Sequence, residues 1–474
     1  MTYDLVLRSR RTVLPDGEAP AAVAVRDGRI AAVTPMHARL DAAREEDLEG
    51  VALLPGLVDV HVHAVEPGRA ADRAGFAAAT AAAAAGGVTT ILNMPGASLP
   101  STVSVEDLRA IQAAAEGSCG VDVGFWGGVV PGNLEKLGPL HDAGVVGFKC
   151  FLGGRDAAAT ADAAVGAGGT GTAEDLVPLD NSGLRAAFTR LAELGPDTLM
   201  AVHAEDCNEI RQACSRDYGT FLASRPPRAE RRAIEKVVAA AVATGVRGHI
   251  APLSAAECVA LIAGAKAAGI ALTAETCPHY LFFAAEEVPD GATQFECYPP
   301  IRDQINREAL WRGLEDGTID CVASGHSPRP TGQQDRGRPV GGKPAAGARG
   351  AAGYFGAARG GIASLQLSLP AIWTVARRRR HGLTDVIRWM AERPAALAGL
   401  SWKGRLAVGC DADLVAFDPN AQFRVRAADL LNPSQATPYE GRVLAGAVRA
   451  VWLRGEPIAA GAALRGHLIT RTKD

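Results

Sequence analysis

The sequence predicts an α/β protein: a (β/α)8 barrel of the TIM type, with a small β-sandwich domain formed by the N- and C-terminal segments. Three observations predict it. The 474 residues are too many for one ordinary domain and suit a large domain with a smaller companion. From about residue 51 to 400, apolar strand-like runs alternate with Ala-, Leu- and Glu-rich segments of helical length, the signature of βα units on a parallel sheet. Both ends instead carry short apolar–polar alternations broken by turn residues. The expected division is 1–52 for the first part of the sandwich, 53–400 for the barrel, and 401–474 for the second part with a C-terminal tail.

At the N-terminus, Leu5-Val6-Leu7 leads to Thr12-Val13-Leu14. Ala22-Val23-Ala24-Val25 then meets Arg29-Ile30-Ala31-Ala32-Val33 across Asp27-Gly28, a hairpin signal. Eight runs follow as barrel strands: Leu57–His63, Thr89–Met94, Val121–Val130, Gly147–Phe151, Met200–His203, His249–Leu253, Ala271–Cys277 and Ile319–Ala323. Eight is the number that closes such a barrel, whose reactive groups lie at the C-terminal ends of the strands. The β texture returns in Asp413–Phe417 and in Val448–Leu453, which turns at Arg454-Gly455. Segments 153–175 (Gly, Ala, Asp, Thr) and 328–356 (Pro, Gly, Arg, Gln) follow the fourth and eighth strands, so both should hang over the mouth as loops.

Composition removes several classes of function. Lys plus Arg (49) against Asp plus Glu (52) leaves a net charge of −3, without the concentrated positive charge that phosphate binding needs. The basic block Arg377–Arg380 is expected to be a solvated helix face. The nine cysteines form no CxxC pair and read as reduced thiols. Residues 77–86 are apolar but too few to span a bilayer, and the N-terminus lacks the pattern of a signal peptide. A cytoplasmic protein with neither a membrane nor a nucleic-acid partner is expected.

His61-Val62-His63 ends the first barrel strand. Residues two apart on a strand point the same way, so both imidazoles can reach one metal ion; alone, the pair also fits two polar strand-end residues. Lys149 ends the fourth strand among apolar and aromatic neighbours, where an amine is costly unless paired or modified; snorkelling from the strand end is the plainer alternative. His203 ends the fifth strand, equally suited to a ligand or to a hydrogen-bonded core histidine.

Gly56–Gly68, Gly86-Gly87-Val88-Thr89-Thr90, Gly147–Phe151, Val202–Glu205, Glu275-Thr276-Cys277-Pro278-His279-Tyr280-Leu281 and Gly360–Ser364 together resemble the cyclic amidohydrolases, the group of dihydroorotase, hydantoinase and allantoinase. The resemblance to allantoinase is strongest, through Gly124–Gly128, Pro299-Pro300-Ile301-Arg302 and Thr437-Pro438-Tyr439-Glu440-Gly441. It implies a homodimer or homotetramer acting on a small cyclic ureide or amide in purine and ureide metabolism. It also implies two zinc-type ions bridged by a carboxylated lysine and a hydroxide that attacks the ring carbonyl, with an aspartate carrying the proton. Carried over by residue, the metal ligands are His61, His63, Lys149 and His203. Val65, Cys277, Pro299 and Ser327 are the implied substrate contacts.

Two positions depart from the pattern. The sixth strand has Pro252 where a liganding histidine is implied, and the eighth has Gly325 where the aspartate is implied, so no catalytic acid or base is identified. Val65 stands where Asn or Arg is implied, which speaks against dihydroorotate as substrate. Strand parity places His249, His326 and Asp320 on the opposite face from the missing ligands, leaving Glu66, Cys150, Cys277 or a loop residue as replacements. Two protein ligands hold zinc poorly, so one ion or none is expected rather than two. Three readings stay open: an allantoinase-like hydrolase with a depleted metal site, a non-catalytic relative with a binding or assembly role, and a relative repurposed for another substrate.

Overall fold

The computed structural model describes residues 2–64, 73–96, 101–153, 176–328, 353–356, 360–431, 436–458 and 464–471. Val65 and Glu66 lie outside these residues, as does nearly all of 153–175 and 328–356.

Five strands open the chain: Leu5–Leu14 (β1), Gly17–Arg26 (β2), Arg29–Pro35 (β3), Glu45–Asp47 (β4) and Ala52–Pro55 (β5). β2 and β3 form the expected hairpin, with Asp27 and Gly28 both left-handed at φ 51° and 72°, as a tight two-residue turn requires. The barrel follows as Leu57–Val62 (β6), Val88–Asn93 (β7), Asp122–Phe125 (β8), Gly127–Gly128 (β9), Phe148–Phe151 (β10), Leu199–His203 (β11), Arg247–Ile250 (β12), Leu272–Thr276 (β13) and Cys321–Val322 (β14). Every pairing among them is parallel. Trp126 separates β8 from β9, which together make the third barrel strand, and a parallel bridge between Val62 and His326 joins the first strand to the eighth. Eight barrel strands therefore stand at the eight apolar runs.

Helices such as Val105–Ala115, Asn181–Ala192 and Gln304–Glu315 cover the outside. Each starts where a short polar side chain (Ser104, Asp180, Asp303) accepts a free backbone N–H of the first turn. Pro227–Thr244 buries Ala233, Ile234, Val237, Ala240 and Ala241, a stripe at helical spacing, and ends at left-handed Gly245.

Val58 and Val60 of β6, Leu92 of β7, Leu199 and Ala201 of β11, Ala251, Cys321 and Ala323 pack against one another. Strands on opposite sides of a barrel share a cluster only through its interior, so the lower barrel is a filled core. Continuing the alternation past Ala201 and Ala323 brings His203 and Gly325 to the mouth.

The terminal domain closes with Leu414–Arg424 (β15), Val443–Leu453 (β16) and Glu456–Pro457 (β17). Its sheet runs β17-β16-β15-β5-β1-β2-β3, with β4 also on β1, so the two chain ends interleave. Barrel and terminal domain meet at a buried charge cluster. The Lys403 ammonium lies 2.5 Å from Asp122 of β8, 3.0 Å from Asp411 and 2.7 Å from Asp413, and Arg454 lies 2.8 Å from Asp122. The tail returns to the barrel: His467 O accepts from Val123 N and Ile469 N donates to Val123 O, both at 2.9 Å, covering a backbone edge of β8. In the basic block, Arg379 pairs with Glu308 and lies 5.0 Å over the Trp311 ring, while Arg377, Arg378 and Arg380 are exposed. Among the described residues no helix is long and apolar enough to cross a membrane.

Candidate metal centre

A register shift between Asp59 and Val62 marks the end of β6, where His61 and His63 stand with ring centroids 5.7 Å apart. His61 Nδ1 bonds to the Glu275 carboxylate, and His63 Nδ1 donates to Gly96 O at 2.9 Å. His203 Nε2 donates to Glu205 at 2.9 Å, and Arg225 grips the same carboxylate at 2.8 and 3.1 Å. Carboxylates and carbonyls accept, so each ring carries its proton on the bonded nitrogen. The lone pair is left on Nε2 of His61 and His63 and on Nδ1 of His203. Metal-binding histidines are ordinarily held this way.

Electrostatics keep the lone pairs free. Burial pushes the His63 imidazole down to about 3, with His61 beside it adding to the shift. Burial also lowers His61 and His203, against the opposing pull of Glu275 and Glu205 respectively. Burial alone would raise Glu205, but Arg225 and the His203 hydrogen bond bring it to about 2.

Lys149, on β10, is 1% exposed; its Nζ donates to Ala251 O at 2.7 Å and lies 5.3 Å from the Phe151 ring centre. Burial drags this amine down to about 8 against the attraction of Glu275. Phe151 stacks on His203 at 4.9 Å, and the charge of Lys149 depresses His61, His63 and His203 alike. The four sequence-derived ligands thus face one space.

Among the described residues, the remaining candidates do not join them as ligands. Gly325 is left-handed at φ 59°, and a Cβ placed there would sit 2.7 Å from Cys277 Sγ and 3.5 Å from His279 Cε1. The Cys277 thiol therefore occupies the ground of the implied aspartate. Cys150 packs in the outer core, while Asp320 pairs with Lys266 at 2.6 Å. Pro299 and Ser327 belong to the surrounding loops: Pro299 O accepts from Tyr280 at 2.7 Å, and Ser327 N donates to Ile362 O at 3.0 Å. His326 Nδ1 accepts from the backbone N–H of Ser364 and Leu365 at 3.1 and 3.3 Å.

The parity argument misplaces His249. β12 ends at Ile250, so alternation counted back from Pro252 does not hold; His249 instead shares its face with Ala251, which packs inside the barrel. His249 Nε2 donates to Glu275 Oε2 at 3.0 Å, and its Nδ1 lies 2.9 Å from Thr273 Oγ1. Glu275 thus bridges His61 and His249. Glu275 stands inside the motif Glu275–Leu281, but its role is invisible without the packing of β13 beside β12.

Among the described residues, one trio of His, Cys, Asp or Glu ligand atoms lies within 4.8 Å: Asp122, Asp411 and Asp413. Lys403 already fills it. Among the described residues, an ion between His61 and His63 would therefore draw on a group outside those four types, and Lys149 is one at hand.

The model of the amidohydrolase family matches residues 52–458. The chain belongs to the amidohydrolase family. It is 45% identical to an allantoinase of Streptomyces avermitilis over 99% of both chains, and 37% identical to one of Arabidopsis thaliana over 95% of this chain and 87% of that one. Among solved structures, an L-hydantoinase (dihydropyrimidinase) from Arthrobacter aurescens superposes with a TM-score of 0.83 at 27% identity, covering 99% of this chain and 100% of the other. Amidohydrolases act on carbon–nitrogen bonds and generally depend on a metal, commonly zinc. In this amidohydrolase His61, His63, Lys149 and His203 are the residues that could hold such an ion. Pro252 and Gly325 offer no ligand atom for a second.

Proposed function

We propose that this amidohydrolase opens the ring of a cyclic ureide of the allantoin type with one metal ion in place of two. The observation that carries the proposal is the gathering of three neutral imidazoles, His61, His63 and His203, each with one ring nitrogen already bonded, within reach of the charge of buried Lys149. A zinc-type ion held there would polarise the ring carbonyl and make water a usable nucleophile near neutral pH. Glu275, Gly96 and Glu205 hold the rings in the orientation that keeps their lone pairs inward. Lys149, with its amine near 8, has enough free base to add carbon dioxide: an N–C bond forms, a proton leaves, and the carbamate offers ligand oxygens. The choice of ureide rests on the allantoinase relatives and on the motifs Pro299–Arg302 and Thr437–Gly441. A homodimer or homotetramer in the cytoplasm accompanies this reading.

A second reading, a non-catalytic relative used for binding or assembly, draws on the bare Gly325, since no carboxylate stands there to carry the proton. That loss is worth about 10²–10⁴-fold in rate. Metal content and ring opening by the purified protein decide between them. We expect close to one ion per chain, with allantoin opening abolished by chelation and restored by zinc. Two ions per chain would overturn the single-ion site. Metal-loaded protein that opens no ureide, hydantoin or dihydropyrimidine would overturn the hydrolase and leave the second reading.

A further inference from the structure

In the buried chain Thr273–His249–Glu275–His61, Thr273 and His249 have no part in the chemistry described so far. Glu275 and His249 are both 0% exposed and His61 is 6% exposed. Both oxygens of Glu275 are committed, Oε1 to His61 Nδ1 and Oε2 to His249 Nε2 at 3.0 Å. Thr273 Oγ1 lies 3.3 Å from Gly248 O and within bonding distance of it as a donor, and 2.9 Å from His249 Nδ1. Two barrel strands, β13 and β14, lie between β12, which carries His249, and β6, which carries His61, and Glu275 on β13 reaches both rings.

We infer that His249 and Glu275 are a positioning pair for the metal ligand His61. A carboxylate held by one imidazole can rotate and offer either oxygen. Held by two, it presents Oε1 to His61 in one orientation, fixing the proton on Nδ1 and the ring plane with Nε2 toward the ion. Outer partners of liganding histidines are typically worth about 10–100-fold in metal affinity. The inference rests on the proposed metal site, and it supplies what the vacant positions at Pro252 and Gly325 do not: with few ligands, the order of each one matters more.

The test measures zinc affinity by competition with a chromophoric chelator and, in the metal-free protein, the His61 tautomer by long-range ¹H–¹⁵N spectra of histidine-labelled material. His249→Leu should weaken zinc binding about 10–100-fold. His249→Gln, whose amide can still donate to Glu275, should recover most of the loss, which a merely space-filling role for His249 would not produce. In the metal-free wild type His61 should be the Nδ1–H tautomer, and Glu275→Leu should mix the two forms. Wild-type zinc affinity in a folded His249→Leu protein overturns the inference, and so does a wild-type His61 protonated on Nε2. If His249→Leu fails to fold, the wild-type and Glu275→Leu spectra decide. A wild type that binds no zinc yet shows His61 as Nδ1–H overturns the proposed metal site and, with it, the positioning of an ion, while leaving the tautomer assignment standing.

Discussion

At the scale of single residues, Gly325 stands where the family resemblance implies an aspartate. Its φ of 59° suits a residue without Cβ, and Cys277 Sγ takes the adjoining space. We expect Gly325→Ala to cost about 1–3 kcal/mol from the left-handed backbone and overpacking combined. Cys277→Ala in the same chain should recover part of it, because contacting residues are not additive. Urea denaturation of the two singles and the double measures this; a fully additive pair would show that the thiol does not fill the site. Buried imidazoles set a second expectation. His63, His279 and His326 are each held at about 3 by burial, below the ordinary 6.5, so between pH 6.5 and 3 the unfolded chain binds protons that the folded one refuses. Stability therefore falls as pH drops through that window. Asp59, raised to about 7 by burial, acts in the opposite sense, losing stability as pH rises toward 7, and so do the raised carboxyls of Glu230, Glu392 and Asp413. But His61 and His203 are lowered as well and join the other three imidazoles. Thermal midpoints at pH 7, 6, 5 and 4 should decline steadily; a flat series would contradict the burial of these rings.

At the scale of elements, the contact between β8 and the terminal domain carries the clearest risk. Lys403 is the cation among Asp122, Asp411 and Asp413, two of them nearly fully buried. Their joint pull raises the Lys403 ammonium far above its usual range despite burial. Lys403→Met removes the cation that all three carboxylates share, and removing one partner of a buried ion pair costs about 3–5 kcal/mol. A loss below about 1 kcal/mol in chemical denaturation would show the cluster to be solvated. The tail 464–471 matters for another reason: it satisfies Val123 N and O on β8. Deleting it should expose that edge and promote self-association, read by light scattering.

At the scale of the whole molecule, the barrel and the interleaved terminal sheet form one framework around the ligand cluster, and an ion bound only by the folded chain must stabilise it. At a free zinc concentration about 100 times the Kd, the gain is about 2.7 kcal/mol. Chelated protein should therefore melt below zinc-loaded protein, and the difference should shrink in His63→Ala, which lacks one of the ordered lone pairs. An identical midpoint with and without zinc would count against a site that binds only the folded state.

The order of elements and the eight barrel strands were legible in the sequence, as were the strand-end positions of His61, His63, Lys149 and His203, while their pairing as a ligand set came from the family resemblance. Hydrophobic period and strand-end position are local properties, and a run of a few residues carries them. The proton positions on His61 and His63 were not legible, because each depends on an acceptor 214 or 33 residues away in sequence, and that on His203 depends on its ring turning to nearby Glu205. Nor was the inward turn of His249 legible, since strict alternation assumes a strand that continues, and β12 stops at Ile250. The Cys277 thiol standing beside Gly325, and Lys403 reaching Asp122 of β8, are meetings of distant segments. Which side chains exist and on which face they begin is written in the chain; which partner each one finds is settled only when separate strands are packed side by side and every buried polar group must be matched.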